Sequence, residues 1–490
     1  MLTVIAAASD PLHVDADLLV APVFKGGIEG VGAGPMLDAL GLDGFPLTPH
    51  FRGDIGQHVL LTAPGLSAAG VLLVGLGRMD ETDPERLRHA AGVAAQACRG
   101  AERIATTLAG VHATRAAVEA LTEGFHLGAH LDQRFKTSDT DGGPRLAEVT
   151  LLVPSSLLGE AREGIARATV YARAACAARD LVNLPPDRKR PTDLAAAIRT
   201  LAAGSCDATI RDKDALARQG FEGLLAAGRG SSAPPCLVEL RYRPPSPIAH
   251  VVLAATGITF DAGGLGLKRA QGMATQKKRM AGAAAVAAAM SALANLDVRV
   301  QVTGLLALAE NVPGADAQRP SDIVTIHGGT TVEVRNTDAE GHLALADALD
   351  YAVALRPQAI VDIATLTSTS AALGGYAGAL MGSDDDLVDE IRAAARVTGE
   401  HLWPLPLWPD LDRFLDTPIA DLANTADDAG GATIMGGLFL KRFVDDCPWA
   451  HLDITGPAFL RPELATGHLR PGGTGFGVRT LLAWLERRTA

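Results

Sequence analysis

The octapeptide Asn336-Thr337-Asp338-Ala339-Glu340-Gly341-His342-Leu343 separates two segments of different periodicity. Residues 331–335 alternate between apolar and polar, which predicts a half-buried strand. Residues 343–353 carry apolar side chains at helical spacing, so a helix is expected to begin near the glycine. Asp338 and Glu340 therefore lie at a strand-to-helix turn. In extended backbone, residues two apart point the same way, so both carboxylates are expected to face one point and to bind a hard or borderline cation.

The same pattern has an alternative interpretation as an ordinary acidic turn. Asp338 would then cap the helix that follows, because aspartate is favoured at the position before a helix. An Asp-x-Glu pattern alone does not separate the two interpretations.

Further segments give the octapeptide a family context. It resembles the signature of the leucyl (cytosol) aminopeptidases, in which arginine stands at the position of His342. A second matching block is Gly257-Ile258-Thr259-Phe260-Asp261-Ala262-Gly263-Gly264, followed by Lys268. The other matching segments keep their order over residues 175–480 and are Glu310-Asn311, Arg319-Pro320, Ala364-Thr365-Leu366-Thr367 and Trp449-Ala450-His451-Leu452-Asp453.

The resemblance implies a fold, and the hydrophobic pattern agrees with it. We expect an α/β protein with a smaller N-terminal α/β domain and a larger C-terminal three-layer domain that has a mixed, mostly parallel sheet. The predicted limits are residues 1–157 for the first domain, 158–182 for a linking helix that two prolines follow, and 183–490 for the second domain. Residues 137–144 are polar and rich in turn formers, which predicts a loop.

Strands of the second domain are predicted at residues 236–242, 250–255, 298–306, 359–363 and 449–454, with helices at 280–296 and 343–353. Ligands of such domains bind where parallel strands end at their carboxyl side. Asp261 follows one predicted strand and Asp338 follows another. The coarse fold therefore brings these carboxylates toward one edge of the sheet.

The composition disfavours several classes of protein. The net charge of -12 and the aromatic content of 4% disfavour a nucleic-acid binder. A local basic face is still compatible with this net charge. Five scattered cysteines and no C-x-x-C spacing indicate buried or free thiols in a reducing cytoplasm, and they disfavour both a disulfide framework and a cysteine-built zinc site. No apolar run is long enough to span a membrane, and the N-terminus lacks the basic region of a secretory signal.

Members of the family hold two divalent metals, usually zinc or manganese, around a water that attacks the peptide carbonyl. By resemblance, Asp261, Asp338 and Glu340 fall on three of the carboxylate ligands. Lys268 falls on the catalytic lysine, a cation suited to stabilising a developing oxyanion.

Three family positions are substituted. A ligand lysine is replaced by Thr256 and a ligand aspartate by Arg279, and both belong to the tighter metal position. His342 replaces an arginine that is thought to place a bicarbonate as general base. Three carboxylates and one guanidinium carry a charge of about -2, which one divalent ion neutralises. We therefore expect at most one zinc or manganese ion per chain, and weak or lost hydrolysis of N-terminal residues from peptides.

Two of these substitutions leave alternatives open. Arg279 is expected either to pair with Asp261 or Glu340 in place of the lost cation, or to extend into solvent and leave the position empty. His342 is interpreted as a polar residue at a helix start, as a base near the bicarbonate position, or as an added nitrogen ligand.

The substrate pocket is predicted from the same resemblance. Leu366 and Thr367 match pocket residues, whereas Gln276 replaces a methionine of the pocket wall and Ser368 replaces a glycine. The pocket has therefore changed in this chain, and peptides are its expected substrates if it is active.

Two other functions remain open at this point. One is a working peptidase with a single metal and altered specificity. The other is a non-enzymatic assembly protein, either a structural hexamer or a DNA binder. The family resemblance implies a homohexamer whichever function the chain has. The basic run at residues 188–190 is expected to be a solvated loop, with a small anion-binding patch as the alternative.

Overall fold

The computed structural model describes residues 2–30, 33–42, 48, 50–64, 66–98, 100–137, 145–426 and 430–489. Residues 138–144 of the predicted loop lie outside these ranges. The chain forms two compact units, the first from Met1–Arg173 and Arg461–Pro471, the second from Ala174–Leu460 and Gly472–Ala490. The domain limits derived from the sequence stay a prediction. No helix of the described part is long and apolar enough to span a membrane.

The first unit is built on a seven-stranded sheet of order β1-β7-β6-β2-β5-β4, with β3 paired to β2. Its pairings are parallel except those of β3 with β2 and β4 with β5. The elements are β1 (Thr3–Ala7), β2 (Leu18–Phe24), β3 (Ile28–Glu29), α1 (Ala33–Ala39), β4 (His58–Thr62), β5 (Gly70–Gly77), α2 (Pro84–Ala97), β6 (Arg103–Thr106), α3 (Arg115–Ala129), β7 (Glu148–Leu152) and α4 (Leu158–Asn183), within which the chain passes to the second unit.

A segment from far along the chain completes the first unit. Residues Arg461–Pro471 lie near the end of the sequence, yet they pack with α2. The side chains of His89 and Thr466 are joined by a 2.8 Å hydrogen bond, and Gln96 donates to the carbonyl of Gly467. Gly92 lets the segment approach closely, because a Cβ there would lie 2.2 Å from the backbone nitrogen of His468.

The second unit contains an eight-stranded mixed sheet of order β16-β15-β18-β14-β10-β11-β9-β8. Its strands are β8 (Asp207–Arg211), β9 (Cys236–Tyr242), β10 (Ala249–Asp261), β11 (Val300–Asn311), β14 (Ala359–Ala364), β15 (Ala377–Gly382), β16 (His401–Pro404) and β18 (Trp449–Asp453). Smaller sheets comprise β12 (Ile323–Thr325), β13 (Thr331–Glu333), β17 (Leu422–Ala423), β19 (Phe459–Leu460) and β20 (Gly472–Gly473). The helices are α5 (Pro191–Ala202), α6 (Lys213–Arg218), α7 (Glu222–Gly228), α8 (Ala270–Met273), α9 (Ala281–Ala292), α10 (Glu340–Ala354), α11 (Ser370–Leu373), α12 (Asp385–Thr398), α13 (Ala432–Lys441) and α14 (Val478–Arg487).

Side-chain alternation on the central strands produces the three layers. Val252 and Ala254 of β10 join one core with α7, α10 and α13. The opposite face packs on α9, since a Cβ at Gly257 would lie 3.1 Å from Ala283 of that helix. Both faces of the central strands are buried, as continuous apolar runs predict. The α/β class with a mixed, mostly parallel sheet is confirmed.

Two sequence-based details of the sheet are wrong. The strand predicted at residues 250–255 continues to Asp261, because β10 pairs with β11 as far as Asn311. The predicted strand at 331–335 is shortened to β13, and it belongs to the separate sheet β12-β13-β17. Asp338 therefore does not follow a strand of the main sheet.

The basic run at residues 188–190 is not uniformly solvated. Arg188 is exposed, but Lys189 has no exposed surface. The Lys189 ammonium donates to the carbonyls of Leu181 and Val182 at the end of α4, at 3.3 and 2.8 Å. It also donates to the carbonyl of Lys277 at 2.8 Å. A cation at a helix C-terminus satisfies carbonyls that have no partner within the helix.

Replacing Lys189 with methionine should lower the free energy of unfolding by about 2–4 kcal/mol, because three carbonyls lose a charged donor in a buried place. Arg188→Met is the matched control, and its effect should stay below about 0.5 kcal/mol. Chemical denaturation of both variants measures the difference. Equal effects would show that the buried ammonium contributes no more than its exposed neighbour.

Candidate metal and peptide site

Asp338 and Glu340 converge through a turn, not through extended backbone. Ala339, between them, has φ -109° and ψ 37°, and its amide donates to the carbonyl of Asn336 at 3.2 Å. Glu340 is the first residue of α10, and the N-cap is Ala339, whose methyl group cannot cap. The capping alternative for Asp338 is therefore wrong. The ligand oxygens of Asp261, Asp338 and Glu340 lie within 4.8 Å of one another.

An asparagine that sequence reasoning missed joins two of these carboxylates. The Asn311 amide nitrogen donates to Asp261 Oδ1 at 3.1 Å and to Glu340 Oε2 at 2.7 Å. It also lies 3.1 Å from the carbonyl of Thr337. The register of the sheet places Asn311, at the end of β11, directly beside Asp261 at the end of β10. Asn311 therefore fixes the distance between the two buried carboxylates.

Two cations face the same carboxylates. The Lys268 ammonium lies 3.0 Å from Asp261 Oδ2 and donates to Asp338 Oδ1. The Arg279 guanidinium lies 3.1 Å from Asp261 Oδ2 through Nε and 3.8 Å from Glu340 Oε1 through Nη2. The pairing of Arg279 with Asp261 is an ion pair without hydrogen-bond geometry.

Backbone carbonyls hold the Arg279 side chain in place. Its Nη1 donates to the carbonyl of Thr365 and, at 3.3 Å, to that of Leu366. The side chain is only 9% exposed. The alternative in which Arg279 extends into solvent is therefore wrong, and the predicted pairing with Asp261 is confirmed.

Burial and mutual repulsion shift the pKa values of this cluster. Burial, followed by the charge of Asp261, raises the pKa of Glu340 to about 8. The same two causes raise the pKa of Asp338. Burial opposes the charged form of Arg279, but Asp261 and Glu340 outweigh burial and raise its pKa. The Arg279 guanidinium thus stays charged, whereas the Glu340 carboxyl group favours its neutral form.

Thr256 and His342 both lie near the start of α10. Thr256 is buried on β10, and a Cβ at Gly341 would lie 3.9 Å from its Cγ2. His342 packs edge-on against Phe439, with ring centroids 5.6 Å apart. Among the described residues, the set of ligand atoms within 4.8 Å contains only the three carboxylates, so His342 is not part of it. Its role as a base stays a prediction.

A cavity of about 900 Å³ opens beside the carboxylates. The predicted pocket residues Gln276, Leu366 and Thr367 line it together with Ser368. The charged and titratable residues that line it are Lys268, Lys278, Arg279, Asp338 and His342. Three residues of the predicted site do not line the cavity, namely Thr256, Asp261 and Glu340.

Asp453 is a second residue that the sequence analysis left without a role. Its Oδ2 accepts hydrogen bonds from the amide and hydroxyl of Thr367, at 2.9 and 2.5 Å. Its Oδ1 accepts from the amide and hydroxyl of Thr455, at 3.0 and 2.7 Å. Asp453 therefore orients two residues of the cavity wall from the end of β18.

Comparisons with known proteins agree with this architecture. The family model "Cytosol aminopeptidase family, catalytic domain" matches residues 176–482, and the model of that family's N-terminal domain matches residues 48–139. A "Probable cytosol aminopeptidase" of Nocardia farcinica is 40% identical over 501 residues, covering 98% of this chain and 96% of that protein. The chain belongs to the cytosol aminopeptidase family.

Other family members and one solved structure extend the match. The "Probable cytosol aminopeptidase" of Streptomyces coelicolor is 40% identical over 517 residues, covering 100% of this chain and 99% of that protein. The bottromycin maturation enzyme BotP in complex with Mn is 36% identical, with a TM-score of 0.86 over 97% of this chain and 100% of that chain. The matched family and its listed members are thus named as aminopeptidases, and the solved relative is a complex with Mn.

The structure predicts that His342 stays neutral well into the acid range. Burial, reinforced by the charges of Arg279 and His451, lowers its pKa to about 3. The unfolded chain, with a histidine pKa near 6.5, binds the proton first as pH falls. The His342 contribution to stability is therefore present above pH 6.5 and is lost at about 1.4 kcal/mol per pH unit below it.

Urea unfolding of the wild type and of His342→Asn, in chelator between pH 7 and 4.5, measures this contribution. Below pH 6.5 the free energy of unfolding should fall more steeply with pH in the wild type than in the variant. The two slopes should differ by about 1.4 kcal/mol per pH unit, the value for one proton. Parallel curves for the two proteins would contradict a neutral His342 in the folded state.

Proposed function

We propose that this protein is a cytosol aminopeptidase relative in which Arg279 takes the place of the second metal, so that hydrolysis of N-terminal residues is weak or lost. The observation that carries the proposal is the buried Arg279 guanidinium, 3.1 Å from Asp261 and fixed by two backbone carbonyls. A cation held in this way competes with any second ion for Asp261.

One divalent ion fits the residues that are present. Asp261, Asp338 and Glu340 supply converging oxygens, which suit zinc or manganese when completed by water. Such an ion, when bound, polarises a carbonyl and lowers the pKa of a water. Lys268 is placed beside Asp261 and Asp338, where its charge would stabilise an oxyanion on the substrate.

A second ion does not fit. Its binding would bring a divalent charge next to a guanidinium that the surrounding carboxylates keep protonated. Thr256 stands where the family has a ligand lysine, and a hydroxyl is a poor replacement for an amine donor. We therefore assign Thr256 and Arg279 as substituted ligand positions and expect at most one ion per chain.

The cavity fits a short peptide. Leu366, Thr367 and Gln276 would contact the substrate, with Thr367 oriented by Asp453. His342 lines the same cavity as a neutral imidazole. We assign it as the base of this site, although its pKa of about 3 makes it a weak proton acceptor. These roles follow from the family resemblance and from the position of each residue in the cavity wall.

A working one-metal peptidase is the second candidate function. It is favoured by the complete set of three carboxylates, with Lys268 in contact with two of them. In this case the specificity differs from that of family members with two metals, because Gln276 and Ser368 change the wall of the cavity. Turnover of aminoacyl substrates with one bound ion separates the two candidates.

We further propose a cytoplasmic homohexamer, as family membership supports. A non-enzymatic hexamer, structural or DNA-binding, is the third candidate, although the net charge of -12 disfavours nucleic acid. Light scattering at micromolar concentration tests the assembly, and a monomer would contradict it.

Elemental analysis of the purified protein, supplied with zinc or manganese, should find no more than one tightly bound ion per chain. Three carboxylates and water define one position and leave the other without donors. Two stoichiometric ions would contradict the substitution of the second metal by Arg279.

Repair of the site should restore the second ion. Arg279→Asp alone should raise affinity for a second ion, since it removes a cation worth roughly 4 kcal/mol at 4 Å and an effective dielectric of 20. Thr256→Lys alone should leave the affinity for a second ion unchanged, because Arg279 still occupies the position of that ion. The double variant should bind two ions, and the effects of the two substitutions on ion affinity should be strongly non-additive. It should also cleave leucyl substrates faster than the wild type.

The outcomes of this repair separate two defects. A double variant with two ions but no turnover would place the defect in Gln276, Ser368 or the shape of the cavity. A double variant that still binds at most one ion would overturn the assignment of positions 256 and 279. Adding His342→Arg should raise turnover further if that position once held an anion.

A further inference from the structure

The three carboxylates differ in how their backbone is fixed. Asp261 ends β10 and Glu340 begins α10, and both side chains are fully buried. Asp338 lies in the turn between β13 and α10, outside any helix or strand, and its side chain is 32% exposed. The position of the Asp338 carboxylate therefore depends on what holds that turn.

Thr337 attaches the turn to the loop that follows Asp261. Its hydroxyl donates to the carbonyl of Gly263 at 2.9 Å and accepts from the amide of Gly266 at 2.8 Å. Thr337 is 1% exposed, and the loop passes so close that a Cβ at Gly266 would lie 3.1 Å from its Oγ1. The same loop leads to Lys268, so one hydroxyl sets the spacing of two charged groups.

Asn424 attaches the other side of the turn. The parallel pairing of β13 with β17 ends at Glu333 and Ala423. Beyond this point, the Asn424 side chain makes hydrogen bonds to the backbone that follows β13. Its Oδ1 accepts from the amides of Arg335 and Asn336, at 2.8 and 3.2 Å. Its Nδ2 donates to the carbonyl of Asn336 at 2.7 Å. Asn424 is 1% exposed and lines the cavity.

We infer that Thr337 and Asn424 are positioning residues that fix Asp338 relative to Asp261 and Glu340 and thereby set the affinity of the site for a divalent ion. The inference rests on the proposed one-ion site. Neither residue supplies an ion ligand. Each bonds the backbone of the turn or of the loop beside it, and residues of this kind tune metal affinity because they keep the ligands in one geometry.

The test compares Thr337→Val with Thr337→Ser in the full-length protein. Valine keeps the shape of threonine without its hydroxyl, whereas serine keeps the hydroxyl. Calorimetric titration with Mn²⁺ should give an affinity about 10- to 100-fold weaker for the valine variant. The serine variant should bind Mn²⁺ close to the wild-type affinity.

Thr398→Val is the matched control. Thr398 is buried, and its hydroxyl donates to the carbonyl of Ala395 at 3.1 Å, as Thr337 donates to Gly263. It lies on α12, which carries none of the site residues. Its valine variant should bind Mn²⁺ with unchanged affinity.

A thermal unfolding curve in chelator, recorded for each variant, separates loss of positioning from loss of folding. Asn424→Ala should weaken Mn²⁺ binding in the same way. If this variant does not fold, the comparison of Thr337→Val with Thr337→Ser tests the inference by itself. Equal affinities for wild type and Thr337→Val, or equal losses in the valine and serine variants, would overturn the inference. A wild-type protein that binds no Mn²⁺ would contradict the one-ion site itself, and the inference with it.

Discussion

The second unit depends on the neutralisation of three carboxylates that the fold brings together, two of which are fully buried. Asp261 and Glu340 have no exposed surface, and bringing such charges out of water is costly unless opposite charges or strong hydrogen bonds meet them. Lys268, Arg279 and Asn311 meet that requirement from three directions. Four segments must therefore assemble together, because each brings one part of a charge set that is unfavourable alone. They are the ends of β10 and β11, the start of α10 and the 3₁₀ helix Gln276–Met280, which carries Arg279.

The same requirement connects Arg279 with the chemistry of the site. A guanidinium is planar, permanently charged and directional, so it satisfies carboxylates and carbonyls together. Here it contacts Asp261 on one side and the carbonyls of Thr365 and Leu366 on the other. In holding the loop after β14, Arg279 contributes to the cavity wall as well as to the charge balance. A metal ion in that place would provide charge without this link to the loop.

Much of the fold was predictable because buried strands and amphipathic helices leave a pattern in single sequences. The segment 236–242 agrees with β9, and the predicted helix after the octapeptide differs from α10 mainly at its start. Convergence of Asp338 and Glu340 was also predicted, but through extended backbone, whereas a turn at Ala339 produces it. The roles of Asn311 and Asp453 were not predictable, because an amide or carboxylate at a strand end reveals its partner only when neighbouring strands are in register. The same holds for Lys189, whose burial depends on the end of α4 and on Lys277.

The excursion of Arg461–Pro471 has a consequence for how the chain is divided. Sequence order places these residues near the C-terminus, yet they complete the packing around α2 in the first unit. The polypeptide therefore crosses the boundary between its units three times, within α4, after Leu460 and after Pro471. A fragment cut at the end of the first continuous stretch would lack a piece of its own interior. Exchange of the N-terminal unit between relatives thus requires two segments to be moved together, and recombination at one junction would leave mismatched surfaces in the hybrid.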